Sequence, residues 1–123
     1  MTFTITLSVL ALLASHQASE TAFRGEIREH LDSPIDATVA GGGNLSEVQI
    51  CIADSLFALG VPSVLQASRE TVLIGAFNSA PVVMASVMLT QVAPGALRAE
   101  VRVRGRGWND RIVARVRGCL RAA

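Results

Sequence analysis

The sequence predicts a small α+β protein with one domain, a sandwich built from an antiparallel sheet and two or three helices. The chain of 123 residues is long enough for one modest core but too short for two. Half of the residues are apolar and only 17% are charged, which is typical of a folded domain. Runs with a period of two alternate with runs of helical spacing. Residues 1–123 are therefore predicted to form a single α+β domain.

The opening stretch, MTFTITLSVLALLA, fits two different roles. Thr2, Thr4 and Thr6 alternate with apolar residues, a pattern typical of a half-buried strand. The alternative is a secretory signal peptide, because the run is apolar and lies near the N-terminus. However, no basic residue precedes Arg24, and cleavage after position 18 would place His16 at a site that prefers a small residue. We favour the strand, with a cleaved segment 1–18 as the alternative.

Residues 19–33 are predicted to form a helix. Phe23, Ile27 and Leu31 recur at a spacing of four and make one apolar stripe, and Pro34 ends the run.

Residues 35–59 allow two interpretations. In the favoured one, two strands flank the turn Gly41-Gly42-Gly43-Asn44, the second strand runs through Ile52, and a short helix covers residues 54–59. The β-rich sequence VQICI supports this hairpin. In the alternative, a single helix covers residues 44–59, because Asn44 and Glu47 match a capping box and apolar residues follow at helical spacing.

The second half predicts further strands and a final helix. Residues 62–78 give one or two strands around a turn at Ser68-Arg69-Glu70, and residues 80–92 give another apolar strand. Residues 97–104 alternate most clearly, with apolar side chains at odd positions and charged ones at even positions. Asn109 is expected to cap the last helix, whose inner face is apolar and whose outer face carries Arg111, Arg115, Arg117 and Arg121. The first half of this order is compatible with a ferredoxin-like split β-α-β arrangement.

Composition excludes several function classes. Every one of the 11 basic residues is an arginine, and the chain has no tyrosine and a single tryptophan, Trp108. P-loop phosphate binding and Schiff-base or pyridoxal chemistry both require a lysine. One tryptophan leaves few platforms for stacking single-stranded bases.

Catalytic and metal-binding motifs are also missing from the sequence. It contains no GxSxG elbow, and His16 and His30 are too far apart for an HExxH pair. Cys51 and Cys119 form no CxxC pair, so a zinc or thioredoxin-like site is not indicated. We therefore predict a non-enzymatic protein with no cofactor and no bound metal.

The glycine-rich segment Gly41-Gly42-Gly43-Asn44 is one candidate site. If a helix followed it, its backbone N–H groups would converge on a phosphate or carboxylate. The segment is not GxGxxG and lacks the GK[ST] of a P-loop. We favour a structural turn, with an anion-binding loop as the alternative.

The arginine-rich C-terminal region is a second candidate. Residues 1–97 hold three arginines against eight acids, a charge of −5, whereas residues 98–123 hold eight arginines against two acids, a charge of +6. A basic patch for nucleic acid or acidic lipid would contain Arg98, Arg102, Arg104, Arg111 and Arg115. The favoured interpretation is a solvated, partly paired surface.

The two cysteines also have two interpretations. In the cytosol they would be two buried free thiols, which we favour. In an oxidising compartment Cys51 and Cys119 would form a single disulfide that joins the C-terminus to the middle of the chain.

The uncharged run of residues 71–97 is long enough for a membrane span. However, Asn78-Ser79-Ala80-Pro81 lies near its middle, so two buried strands around a turn explain it better.

These observations predict a cytoplasmic binding protein that uses a sheet face or its arginine-rich end. The expected partner is a protein, which includes a second copy of this chain in a homo-oligomer. Nucleic acid and acidic lipid are alternatives that we do not favour. The alternatives are an exported envelope protein with a signal peptide and one disulfide, and a protein attached to a membrane through residues 71–97.

Overall fold

The structure, a computed structural model, describes residues 25–80, 82–104 and 107–121. Residues 25–30 are helical and are labelled α1. The other elements, in chain order, are β1 (Ala37–Gly42), α2 (Leu45–Leu56), β2 (Val61–Gln66), β3 (Thr71–Phe77), β4 (Val83–Ala93), β5 (Ala96–Val103) and α3 (Asn109–Cys119). The predicted class is confirmed, since five antiparallel strands and three helices make a small α+β domain.

The sheet has the strand order β1-β5-β4-β3-β2, and every neighbouring pair is antiparallel. Strands β2 to β5 form a meander with short turns, whereas β1 lies at the opposite edge against β5. Helix α2 therefore crosses the sheet from the β1 edge to the β2 edge.

One face of the sheet, which we call the inner face, is covered by α2 and α3. Its buried residues belong to one apolar cluster that includes Ile52 and Leu56 of α2, Ile112 and Val116 of α3, and Ile74 at the centre of β3. Helical spacing in α2 and α3 turns their apolar residues toward the sheet. This cluster is the main core.

The other face, which we call the outer face, is covered by α1 over part of its area. Ile27 of α1 packs with Leu73 of β3 and Val83 of β4 in a second, smaller cluster. Strand alternation places Leu73 and Ile74 on opposite faces. The sheet is therefore covered by helices on both sides, but unequally.

The favoured hairpin for residues 35–52 is wrong, and the single-helix alternative is correct apart from its end. Asn44 takes extended backbone angles, and its Oδ1 accepts hydrogen bonds from the backbone N–H groups of Ser46 at 3.0 Å and Glu47 at 3.2 Å. This cap, together with the apolar residues that α2 buries on one side, outweighs the β propensity of VQICI. The helix ends at Leu56, and no separate helix covers residues 54–59.

The strands of the second half are confirmed. Residues 62–78 contain two strands, β2 and β3, around the predicted turn, and β4 ends before Pro94-Gly95. The run of residues 71–97 is β3, β4 and the start of β5, so it does not form a membrane-spanning helix. Among the described residues, no helix is both long enough and apolar enough to cross a membrane.

The final helix is confirmed, but its cap is not. Trp108 is the N-cap of α3 and makes no side-chain cap hydrogen bond, and Asn109 is the first helical residue. The Asn109 Nδ2 group instead donates to Asp36 Oδ1 at 2.8 Å.

Two predictions lie outside the described residues. These are the strand or signal peptide within residues 1–18, on which the ferredoxin-like arrangement depends, and the start of the first helix.

Candidate functional site

The glycine-rich segment connects β1 to α2. Gly41 and Gly42 belong to β1, and a Cβ on Gly41 would lie 2.6 Å from the Arg121 carbonyl oxygen and 2.8 Å from Leu120 Cβ. Gly43 has a φ of 149°, which favours glycine. Glycines are needed here because the end of the chain packs closely against β1.

The N–H groups of this segment are largely engaged within the protein. The Gly42 N–H donates to the Arg121 carbonyl at 2.8 Å, and the Gly43 N–H donates to the Gly95 carbonyl at 3.1 Å. The next N–H groups of α2 are held by Asn44. The structure thus places Gly41, Gly42, Gly43 and Asn44 in a connection whose donors are used by structural hydrogen bonds rather than held open for an anion.

The five arginines of the predicted basic patch are divided between two layers of the molecule. Arg98, Arg102 and Arg104 lie on the outer face of β5 or just after it, whereas Arg111 and Arg115 project from α3, which covers the inner face. The structure therefore does not unite them in one patch.

Arg98 and Arg104 are exposed and make ordinary surface contacts. The Nε of Arg98 lies 3.7 Å from Glu100 Oε1, which is the one ion pair found among the described residues. The Nε of Arg104 donates to the Val83 carbonyl at 3.0 Å, and this contact holds the chain against β4 after β5 ends.

Arg102 departs from the prediction of a solvated side chain, because it is only 8% exposed. Its Nε donates to the Ser33 carbonyl at 3.0 Å, but its buried Nη1 has no hydrogen-bond partner in the part of the chain that the structure describes. Within the described residues, no carboxylate forms an ion pair with it. Alternation along β5 identified the face of Arg102 correctly, but not the cover that residues 25–36 provide.

His30 lies beside Arg102 and is also buried, with 3% of its surface exposed. Its Nε2 lies 3.4 Å from the Arg102 carbonyl oxygen. Burial lowers the pKa of His30 below its usual value of 6.5, and the positive charges of Arg104 and Arg102 lower it further, while the hydrogen bond to Arg102 and the charge of Asp36 act in the opposite direction. From the sequence alone, His30 comes into question only as a possible half of an HExxH pair, and nothing in the local pattern indicates that it is buried.

A pocket of about 340 Å³ lies at the end of α1. It is lined by His30, Ser33, Pro34, Asp36, Val103 and Arg104. Arg102 does not line the pocket. Its Nε donates a hydrogen bond to the carbonyl of Ser33, so the side chain lies behind the residues that form the pocket wall. We call this cavity the α1 pocket.

The Asp36 carboxylate in the α1 pocket is already used by the fold. Its Oδ2 accepts the Val103 N–H at 2.6 Å, and its Oδ1 accepts Asn109 Nδ2 at 2.8 Å. Asp36 therefore connects the start of β1, the end of β5 and the start of α3, and it forms no ion pair with Arg102 or Arg104.

Cys51 and Cys119 form a disulfide that joins α2 to the end of α3, with their Cα atoms 5.7 Å apart. The expectation of two buried free thiols is therefore wrong, because packing α2 beside α3 brings the two side chains together and leaves Cys51 exposed. Ser55 lies at the same junction, with its Oγ 3.7 Å from Cys119 Sγ. The two helices over the inner face are thus covalently connected.

Arg111 and Arg115 are held in defined positions on α3. The Arg111 guanidinium lies 5.5 Å from the centre of the Trp108 ring, and Arg115 Nη1 donates to the Ser55 carbonyl at 3.3 Å. Arg117 of α3 is exposed as well, and so is Arg121, which the sequence placed on the helix but which follows α3 and pairs with Gly42. We call these four residues the α3 arginine face.

A second cavity, of about 390 Å³, is open and mostly apolar. It lies between the end of α2 and the β2 edge of the sheet, where Phe57 and Val61 are each 67% exposed. Sequence analysis did not identify this cavity, since Phe57 and Val61 belong to separate elements that only the fold brings together.

Among the described residues, no three His, Cys, Asp or Glu side chains are grouped so that they could hold a metal ion. The chain matches no protein-family model, and it has no detectable similarity to a curated protein or to a solved structure. The functional conclusion therefore rests on the residues of this chain alone.

Proposed function

We propose that this chain is a non-enzymatic binding protein that contacts an acidic surface of a protein partner through the α3 arginine face. The observation that carries the proposal is that four exposed arginines, Arg111, Arg115, Arg117 and Arg121, form no ion pair with any carboxylate of the described residues. A guanidinium offers donors in a planar arrangement that matches a carboxylate, so unpaired arginines suit an acidic surface.

The shape of α3 supports close contact with a partner. Ile112 and Val116 point toward the sheet, so Ala114 lies on the opposite, solvent side of the helix with arginines around it. Because Ala114 is small, a partner can approach the helix backbone while the guanidinium groups reach around it.

A protein partner fits this surface better than nucleic acid or anionic lipid. Trp108 is 38% exposed beside Arg111, and arginine and tryptophan are the residue types that contribute most to protein–protein binding. Exposed acids at Asp110 and at Asp54 of the adjacent α2 would repel a continuous polyanion.

We further propose that the protein works in an oxidising compartment. The disulfide between Cys51 and Cys119 supports this location, because disulfides persist in secreted and envelope proteins and are rare in a reducing cytosol. This observation favours the exported alternative over the cytoplasmic location that the sequence suggested.

A photo-crosslinking residue at Ala114 tests the proposed surface in the native host. We expect a discrete protein adduct that is lost when Arg111, Arg115 and Arg117 are all replaced by Gln. The matched controls are a crosslinker at Ser79, an exposed position in the turn after β3, and an Arg69→Gln variant, which removes an exposed arginine from the β2–β3 turn.

Three outcomes would contradict the proposal. Adducts that form equally at Ser79, or that survive the triple substitution, would show that the α3 arginine face is not the contact surface. An adduct with a second copy of the chain through two α3 faces would exclude an acidic partner, because like charges would meet. Catalytic turnover that survives purification controls would show that the protein is an enzyme.

A further inference from the structure

We propose that the α1 pocket binds a tetrahedral oxyanion, the phosphate group of a small ligand, through the combined positive charge of Arg102 and Arg104 and the imidazole of His30. This site lies at the end of α1 and shares no residue with the α3 arginine face. The proposal therefore does not depend on the function proposed above.

The charge of Arg102 is not compensated by any carboxylate of the described residues. Buried charged groups in proteins are normally paired, because removing an ion from water is costly unless a counter-ion or a full set of hydrogen bonds replaces the water. Arg102 is 8% exposed, has a buried Nη1 without a partner, and forms no ion pair with a carboxylate among the described residues. An anion in the adjoining α1 pocket would supply a negative charge near this guanidinium, although Arg102 does not line the pocket itself.

The Arg102 guanidinium lies directly behind the wall of the α1 pocket. Arg102 Nε donates to the carbonyl of Ser33, and Ser33 lines the α1 pocket together with Arg104 and His30. A charge in the protein interior is screened less than a surface charge, so Arg102 acts through the pocket wall with considerable strength. Arg102 is thus a positioning and electrostatic group, while Arg104 and His30 face the ligand.

Free hydrogen-bond donors are also present at the pocket. Arg104 uses its Nε on the Val83 carbonyl, and its two Nη groups have no partner among the described residues. The Asp36 carboxylate also lines the pocket; it accepts hydrogen bonds from the Val103 N–H and from Asn109 and forms no ion pair with Arg102 or Arg104, although its negative charge offsets part of theirs.

The charge balance favours a doubly charged group over a carboxylate. Two guanidinium groups outweigh the single negative charge of Asp36, and the neighbouring imidazole adds a positive charge when it takes up a proton. The pocket of about 340 Å³ is large enough for a phosphate group with part of the molecule that carries it.

The test uses the full chain with inorganic phosphate and sulfate as probes, at constant ionic strength maintained with chloride. Binding is followed by NMR of the His30 ring resonances, which a His30→Gln variant assigns because the chain has 2 histidines. We expect saturable shifts of the His30 resonances with phosphate and with sulfate, and a weaker response to acetate.

Three variants connect these shifts to the pocket. Arg102→Met, which keeps an unbranched apolar stem but removes the guanidinium and its charge, and Arg104→Gln should each weaken phosphate binding at least about tenfold. The matched control is Arg98→Gln on the same face of β5, and it should retain the affinity of the unaltered chain. If Arg102→Met fails to fold, the Arg104→Gln variant still tests the pocket, because Arg104 is exposed and its replacement should not disturb the fold.

Several outcomes would overturn the proposal. These are an absence of any His30 response at millimolar phosphate, an equal response to acetate, and equal weakening in Arg98→Gln and Arg104→Gln. Equal weakening would mean that the anion responds to the net charge of the protein and not to the α1 pocket.

Discussion

The two faces of the sheet are covered in different ways. The inner face buries mainly apolar residues, whereas the outer face also buries polar and charged side chains. Within the described ranges, α2 and α3 bury 16 apolar residues on the inner face in one cluster. Among the residues that the structure describes, the buried cluster of the outer face contains Ile27, Leu73 and Val83, next to the buried polar side chains of His30, Ser86 and Arg102. Apolar burial is the main favourable term in folding, so the inner face provides most of the stability.

The outer face retains groups that destabilise the folded state. Three buried side-chain atoms have no hydrogen-bond partner among the described residues: Ser86 Oγ and Arg102 Nη1, which β4–β5 pairing places opposite each other on the outer face, and Asn109 Oδ1 at the start of α3. Each unsatisfied buried group costs about 1–3 kcal/mol relative to a paired one. The two groups on the outer face therefore lower its contribution to the stability of the fold.

The largest expected change in the free energy of unfolding comes from shortening either of two neighbouring residues of β3 that point to opposite faces of the sheet. Ile74→Ala should lower the free energy of unfolding by about 4 kcal/mol, because Ile74 is fully buried between the sheet and two covalently joined helices that cannot easily close a cavity. Leu73→Ala should cost only about 2 kcal/mol, because the small outer cluster relaxes more easily. Urea unfolding followed by circular dichroism measures both values, and equal losses would show that the two faces do not differ in rigidity.

The next largest effect concerns the covalent connection within the inner layer. Replacing Cys51 and Cys119 together by Ser should lower the free energy of unfolding by about 2–4 kcal/mol, because the disulfide closes a loop with a sequence separation of 68. Urea unfolding with and without a reductant measures this change. Reductant should destabilise the unaltered chain to the level of the double variant and leave the variant unchanged, and an unaltered chain that is insensitive to reductant would contradict the prediction.

Predictions from the sequence succeeded for elements whose local residue pattern alone reflects how each of their faces is buried. Alternation in β5 predicted its strand and its two faces, since β5 lies inside the sheet with unlike surroundings on each side. The segment of α2 was misjudged because the β propensity of VQICI was given more weight than the Asn44 cap and the helical spacing around it. Propensity is the weaker signal, since packing of an apolar stripe regularly overrides it.

The candidate sites were harder to predict because they depend on contacts between distant segments. Arg102 becomes buried because residues 25–36 cover it, and Asp36 bonds to Val103 and Asn109, both more than sixty residues away in sequence. The pairing of Cys51 with Cys119 likewise requires α2 and α3 to be neighbours on one face. Sequence periodicity identifies the face on which a residue lies, but not the segment that covers that face.

A smaller effect tests the start of α2 on the inner side. Asn44→Ala should lower the free energy of unfolding by about 1 kcal/mol, because the N–H groups of Ser46 and Glu47 lose their acceptor. Asn44→Asp keeps the acceptor and should retain most of the stability, so the pair separates capping from other roles of the side chain. Equal losses in both variants, measured by thermal unfolding, would argue against a capping role.

The smallest effect is a pH dependence that belongs to the outer face alone. Because burial lowers the pKa of His30 in the folded state below 6.5, the unfolded chain takes up the proton first as the pH falls. The free energy of unfolding should therefore decrease as the pH falls below about 6.5, and level off once the pH is below the folded-state pKa, where both states are protonated. His30→Gln should remove this component of the slope between pH 7.5 and 5.5, whereas Asn44→Ala on the inner side should lower stability at every pH and leave the slope intact. If His30→Gln leaves the slope unchanged, another group takes up the proton. The pH dependence of the free energy of unfolding would then not distinguish the outer face from the inner face.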